Sequence, residues 1–221
     1  MEPIRLFIGS SFNGEDFEAE RTYEYSLRNH CDAELNITWM RQSQDSSSPF
    51  YGWNTQGWGT PFTAFRWAIP HLCGFQGKAI FTDVDMLNLR DISILFNEDM
   101  QDKPLKARRH NKFNRYEFSV MLMDCEKLKP HLPSIDVIKS TKGIHDILTK
   151  RFSHIDYVSP LDMRWNCLDG EDLDAEDIWQ LHFTNRNSQP WCPAWFKGER
   201  QEHKRPDLVE LWKKYCENSV L

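Results

Sequence analysis

The chain has 221 residues, 40% hydrophobic and 27% charged, which is enough for a core of its own and ordinary for a globular protein. Its net charge of −6, from 33 acidic and 27 basic residues, excludes a protein that coats nucleic acid with a basic face, but not one that binds a small anion neutralised locally by a cation. No apolar run reaches the length of a membrane span, Met1-Glu2-Pro3-Ile4-Arg5 does not read as a leader, and six dispersed cysteines form no Cys-x-x-Cys pair, so reduced thiols and a cytoplasmic location are expected.

Ile4-Arg5-Leu6-Phe7-Ile8 reads as a strand ending at Gly9-Ser10, and a helix is predicted over Asp16–Asn29. Glu34–Met40 alternates apolar and polar residues as a second strand does. Arg41–Gly59 is a long polar loop, and loops of that length are functional lids or disordered. Thr60-Pro61 predicts an N-cap followed by proline at the first helical position, in a helix running to Leu72 with Gly74 beyond it. A third strand follows at Lys78–Asp85. Further on, Val120–Met123 predicts a strand, Glu126-Lys127-Leu128 and Ile144–Phe152 predict helices, and Ile178–Phe183 predicts a strand carrying His182 at its end. Pro206–Glu217 is an amphipathic helix with Leu208, Leu211, Trp212 and Tyr215 on one face. Arg41–Gly59 and Asn97–Arg115 are the expected mobile segments. The order β-α-β-loop-α-β predicts an α/β fold, one domain with a mostly parallel central sheet flanked by helices. Most of the nine Trp and fourteen Phe are expected to fill its core.

The chemistry concentrates where Ala79-Ile80-Phe81-Thr82 ends in Asp83-Val84-Asp85. In open α/β sheets, ligands bind at the carboxyl ends of strands. Two carboxylates there each cost several kcal/mol to desolvate unless a cation or donor compensates them. A hard divalent ion, Mn²⁺ or Mg²⁺, holding a diphosphate meets that need. Asp172-Leu173-Asp174 has the same spacing but lies in an acidic segment with no predicted strand before it, and is read as a solvated loop.

Phe65-Arg66-Trp67-Ala68-Ile69-Pro70, followed by Lys78 to Asp85 and Met86-Leu87-Asn88-Leu89-Arg90-Asp91-Ile92, resembles the Arg-bearing helix, strand and acidic pair of the family 8 glycosyltransferases, the group of glycogenin and the bacterial lipopolysaccharide galactosyltransferases. His182-Phe183-Thr184 with Gln189-Pro190-Trp191 is similar to the family's His-x-x-Gly-x-x-Lys-Pro-Trp element, with Asn185 for its Gly, Gln189 for its Lys and one residue inserted. Tyr116 to Met123 resembles the family's Asn-Ser/Ala-Gly-Val strand, with Glu117 where an amide is usual. Ile144-His145-Asp146-Ile147-Leu148 resembles its Asp-Gln-Asp-Leu-Leu helix start, and Trp165-Asn166 its aromatic-Asn near the acceptor side.

The resemblance implies a GT-A nucleotide-sugar-binding fold over residues 1–221, with 1–96 as the nucleotide half and 97–221 as the sugar and acceptor half. It implies a metal held by Asp83, Asp85 and His182, and imidazole suits Mn²⁺. The backbone of Phe7, Ile8 and Gly9 would meet the base, Val84 the ribose, and Arg66 would orient the nucleotide. Arg186, or Lys197, would stand in for the missing Lys at the diphosphate. His145, Asp146 and Asp162 are the candidates near the transferred sugar. The implied activity is retaining, metal-dependent transfer of a hexose from a nucleotide sugar, UDP-linked by family default, to a carbohydrate or glycoconjugate hydroxyl. Trp53 and Trp58 of the polar loop, with Trp165, are expected to form the acceptor side. Two alternatives stay open: a non-catalytic nucleotide-sugar-binding module, and a metal-dependent nucleotidyltransferase or hydrolase. The latter usually carries a Gly-rich basic loop after its first strand, which Gly9-Ser10-Ser11-Phe12-Asn13-Gly14 does not provide.

Overall fold

A computed structural model of the chain describes residues 2–110, 115–154, 156–193 and 196–220. Strand β1 (Ile4–Gly9) lies between β2 (Leu35–Met40) and β3 (Lys78–Asp83), parallel to both, with helix α1 (Phe17–His30) crossing from β1 to β2. Leu6, Ile8, Ile80 and Phe81 are fully buried, which is why these strands read as apolar runs rather than alternating ones. The sheet continues through β6 (Tyr116–Asp124), β5 (Leu105–Arg109) and β7 (Val158–Leu161), giving the order β2-β1-β3-β6-β5-β7. Only β6 runs against the other strands, because β3 and β5 are both antiparallel to it and β7 is parallel to β5. The expected α/β architecture with a mostly parallel sheet is therefore observed, and a division at residue 96 falls within one hydrogen-bonded sheet.

A second, three-stranded sheet, β4 (Met86–Asn88), β9 (Gln180–His182) and β8 (Cys167–Leu168), stands beyond the end of β3. Short helices α3 (Ile92–Phe96), α4 (Cys125–Leu128) and α5 (Ile135–Ser140) fill the connections, and α6 (Ile144–Phe152) precedes β7. Helix α7 (Pro206–Asn218) packs on α1, buries Leu208, Trp212 and Cys216, and keeps Leu211 and Tyr215 partly covered.

Four expectations are corrected. The helix predicted over residues 60–72 is a run of i→i+3 turns, a 3₁₀ segment at Phe65–Ala68 and a four-residue α2 (Ile69–Leu72). Pro70 has no N–H for an i→i−4 bond to Arg66, so a regular helix cannot pass through it. Asn97–Arg115 is not simply a loop, because it contains β5, which lies inside the sheet. That strand was hidden by Lys106 and Arg108, both buried, Lys106 against Glu98 at 2.7 Å and Arg108 against Glu171; residues 111–114 lie outside the described ones. Arg41–Gly59 is anchored rather than free: Phe50, Trp53 and Trp58 pack on Phe65 with ring centroids 4.9, 4.9 and 5.2 Å away. Finally, the acidic segment does follow a strand, β8. Its Asp169 and Glu171 are bonded to Thr184 and Arg108, whereas Asp172 and Asp174 are exposed.

Candidate functional site

Strand β3 ends on Asp83, and the chain turns at Val84-Asp85 into β4. Antiparallel pairing of β4 with β9 sets Met86 opposite His182, and the Phe183 N–H donates to the Asp85 carbonyl at 2.9 Å. Backbone ladders thus carry the imidazole to the acidic pair. One ligand atom from each of Asp83, Asp85 and His182 lies within 4.8 Å of the others.

Each member is oriented from behind. Asp83 Oδ1 accepts from Arg66 Nη2 at 2.9 Å. That guanidinium also donates from Nε to the Thr63 carbonyl at 2.9 Å and from Nη1 to the Phe118 carbonyl, and lies 4.3 Å over the Phe81 ring. Burial pushes the Asp83 carboxyl up to about 6, with Arg66 pulling against it and Asp85 pushing the same way. His182 Nδ1 donates to Asn166 Oδ1 at 2.9 Å, and Asn166 Nδ2 donates to Ser119 Oγ at 2.9 Å. An amide oxygen only accepts, so this contact places the Nδ1 proton and turns Nε2 toward Asp85.

The fit to a cation rests on what Nε2 meets. Asp85 Oδ1 is sealed from solvent and has no hydrogen-bond partner among the described residues, and Nε2 faces it at 3.3 Å. Two lone-pair sites confront each other there unless a second proton or a metal lies between them. Burial disfavours the imidazolium, but Asp85, Asp83 and Asp169 outweigh it and raise the His182 pKa. Two carboxylates and one imidazole form a donor set that suits Mn²⁺ better than Ca²⁺, which prefers oxygen alone.

Asp83 and His182 open on a cleft of about 530 Å³ whose walls also include Arg66, Glu117, Ser119, His145, Asp146 and Thr184. His145 and Asp146 are therefore brought to it, on the first turn of α6. His145 is not an open base. Its Nδ1 accepts from Trp67 Nε1 at 3.3 Å, its Nε2 lies 3.4 Å from Thr149 Oγ1, and burial together with Arg66 lowers its pKa to about 3. Asp146 is exposed. Asp162 does not line this cleft. It caps the 3₁₀ turn Met163–Asn166 through the Arg164 N–H at 2.9 Å and pairs with the Arg164 guanidinium at 2.7 Å, which holds its carboxyl below the usual range.

The nucleotide candidates divide. Phe7 and Ile8 are buried and paired on both sides, to β2 and to β3. Gly9 admits a close approach, but by Phe62, whose ring would stand 2.4 Å from a Cβ built there. Val84 is buried between the carboxylates, and Arg66 is committed to Asp83. Arg186 bridges to the cleft rim, donating to the Gly59 carbonyl at 2.6 Å, while Lys197 is exposed. Trp165 and Trp53 are buried, with Nε1 bonded to Glu98 and to the Pro49 carbonyl, so they form core and not an acceptor platform.

Three groups at the site had no reading of this kind from sequence. Asn166 stood in a noted motif, but its service to His182 depends on β8–β9 pairing. Asp16, after β1, is buried and its carboxyl is raised by burial, with Ser11 opposing and Asp85 adding. Arg108 and Glu171 meet only through the fold, so no local spacing signals them.

These elements define the α/β fold of the GT-A glycosyltransferases. The glycosyltransferase GlyE of Streptococcus pneumoniae superimposes with a TM-score of 0.68 at 17% identity, over 97% of this chain and 60% of its own, so the chain spans less than two thirds of that protein. The galactosyltransferase LgtC, in complex with donor and acceptor sugar analogs, gives 0.65 at 13% identity over 97% of this chain and 96% of its own. Mouse xyloside xylosyltransferase 1 gives 0.58 at 13% identity over 83% and 98%. Among curated sequences, Protein CDI of Arabidopsis thaliana is 23% identical over 96% of this chain and 85% of its own length. No family model matches the sequence. Among the described residues, no helix is long and apolar enough to cross a membrane.

Proposed function

We propose that this chain is a metal-dependent, retaining glycosyltransferase that moves a hexose from a UDP-linked sugar to a carbohydrate or glycoconjugate hydroxyl. The observation that carries the reading is the convergence of Asp83, Asp85 and His182 at a strand end, with Asp85 Oδ1 unpartnered among the described residues, beside a cleft that Asp83 and His182 line in a glycosyltransferase fold. Asp83, Asp85 and His182 would hold Mn²⁺ or Mg²⁺, which supplies Lewis-acid stabilisation of the departing diphosphate. Residues 1–96 serve the nucleotide, with Phe7, Ile8 and Gly9 near the base and Val84 near the ribose; residues 97–221 serve the sugar and acceptor.

The chain's own residues do the positioning. Arg66 fixes Asp83, Asn166 fixes the tautomer of His182, and His145, neutral and held at both nitrogens, shapes the wall beside Trp67. Arg186, which donates to the Gly59 carbonyl at the rim, would take the role of the family's lysine at the diphosphate, as a planar fork rather than a point charge. Asp146, open to solvent on the cleft wall, is a carboxylate that would meet the sugar. The acceptor hydroxyl attacks the face the diphosphate leaves. The anomeric C–O(phosphate) bond breaks with its electron pair going to the diphosphate, and the hydroxyl proton follows to that oxygen.

UDP release from a panel of UDP-sugars, with Mn²⁺ and mixed sugar acceptors, tests this. Turnover that chelator and Asp83→Asn both remove supports it. The full engagement of His145 favours the second reading, a non-catalytic nucleotide-sugar-binding module. Metal-dependent binding with no UDP release from any donor would establish that reading instead.

A further inference from the structure

Glu117, on the wall of the cleft, is a carboxylate that the protein attracts but does not satisfy. It pairs in register with Arg108 across β5 and β6. The Arg108 guanidinium is spent elsewhere, with Nη1 and Nη2 both on Glu171 and Nη1 also on the Asn166 carbonyl. What remains for Glu117 is Arg108 Nε, 3.8 Å from Oε2, and neither atom has a hydrogen-bond partner among the described residues. Oε1 stands 3.6 Å from His110 Nε2. The side chain keeps 18% of its surface open, and because Oε2 is sealed, Oε1 is the oxygen available to a ligand. A half-buried carboxylate with a cation nearby and no direct donor is a strong acceptor awaiting one.

Its position says which ligand supplies the donor. β6 runs against β3, and Thr82 faces Val120, so Glu117 lies beyond the end of β3 on the side where the acidic pair emerges. Asp146 lines the same cleft. Among the described lining residues the one permanent cation is Arg66, which already serves Asp83 and two carbonyls. The described lining residues therefore offer carboxylate acceptors and, beyond Arg66, no permanent cation.

We propose that Glu117 reads the transferred sugar, accepting a hydroxyl hydrogen and, with Asp146, restricting the donor to sugars that carry no carboxylate. The assignment rests on the glycosyltransferase reading and adds the substrate class to it. Hydroxyls would satisfy Glu117, whereas a hexuronate would set a third carboxylate against two with no uncommitted cation among the described lining residues.

The test is calorimetric titration of the full chain, with Mn²⁺, by UDP, UDP-glucose and UDP-glucuronate, which differ in the sugar alone. Wild-type protein should favour UDP-glucose over UDP-glucuronate by about tenfold or more, the equivalent of ~1.4 kcal/mol. Glu117→Gln should shrink that ratio to within about threefold while leaving UDP affinity unchanged. Glu117→Asp keeps the charge and should still exclude the uronate, so the assignment stays testable if the amide variant folds poorly. Normal UDP binding without discrimination, or discrimination that survives in Glu117→Gln, overturns the role of Glu117 and leaves the glycosyltransferase reading standing. Failure of UDP itself to bind with Mn²⁺ overturns both.

Discussion

The chain contains the same tripeptide pattern twice, and the two copies have opposite fates. Asp83-Val84-Asp85 leaves a strand buried from Ala79 onward, meets His182 and Arg66, and carries an oxygen with no donor among the described residues. Asp172-Leu173-Asp174 lies in an irregular loop before a 3₁₀ turn, with both carboxylates exposed. Identical spacing thus yields a desolvated cluster in one place and solvated surface in the other. Desolvation converts an acidic pair into a demand for a cation, because water satisfies the exposed copy at no cost to folding.

Removing the cation that already serves the buried copy should show this most strongly. Arg66→Leu leaves Asp83 buried and unpaired, and is expected to cost about 3–5 kcal/mol of stability in chemical denaturation without metal. With saturating Mn²⁺ the loss should shrink, because Asp83 regains a cation. An equal loss with and without Mn²⁺ would place Asp83 outside the metal's reach. A smaller effect is expected from Asn166→Ala, which frees the His182 ring while keeping all three ligands. Mn²⁺ affinity should fall about 10–100-fold, as for other residues that orient a metal-bound histidine. An unchanged affinity would break the link between Asn166 and the site.

The smallest effect is on pH dependence. His182 titrates above its ordinary 6.5 in the folded protein, so its contribution to stability is full below that value and is lost as pH rises through the raised one. Asp83, raised from 3.8 to about 6, adds a loss of stability over that interval. Both groups give up protons to bind a metal. The rise in Tm that Mn²⁺ produces should therefore be larger at pH 8 than at pH 6, by a few degrees in thermal melts. A rise that does not vary with pH would mean that the metal binds elsewhere.

Much of this was legible in the sequence where local chemistry and fold coincide. β1, β3, the acidic pair and α7 announce themselves through apolar runs, their punctuation and helical spacing. His182 was found through the residues around it, since a histidine at a strand end carries no signal alone. What was hidden depends on distant parts of the chain. β5 is written with Lys106, Arg108 and Arg109, and becomes a central strand only because Glu98 and Glu171 arrive to neutralise two of them. Trp53 and Trp58 were expected to be exposed because nothing local shows that they pack on Phe65. Glu117 shows its character only once Arg108 is seen to be spent on Glu171.

The most direct measurement sets the two copies against each other: titration of UDP-glucose with Mn²⁺ into wild-type protein, Asp85→Ala and the double variant Asp172→Ala/Asp174→Ala. Binding should weaken by two orders of magnitude or more, about 2.7 kcal/mol, in Asp85→Ala and stay within about twofold of wild type in the double variant. Equal binding by all three proteins, or loss in the double variant alone, would contradict a metal and nucleotide-sugar site at the end of β3.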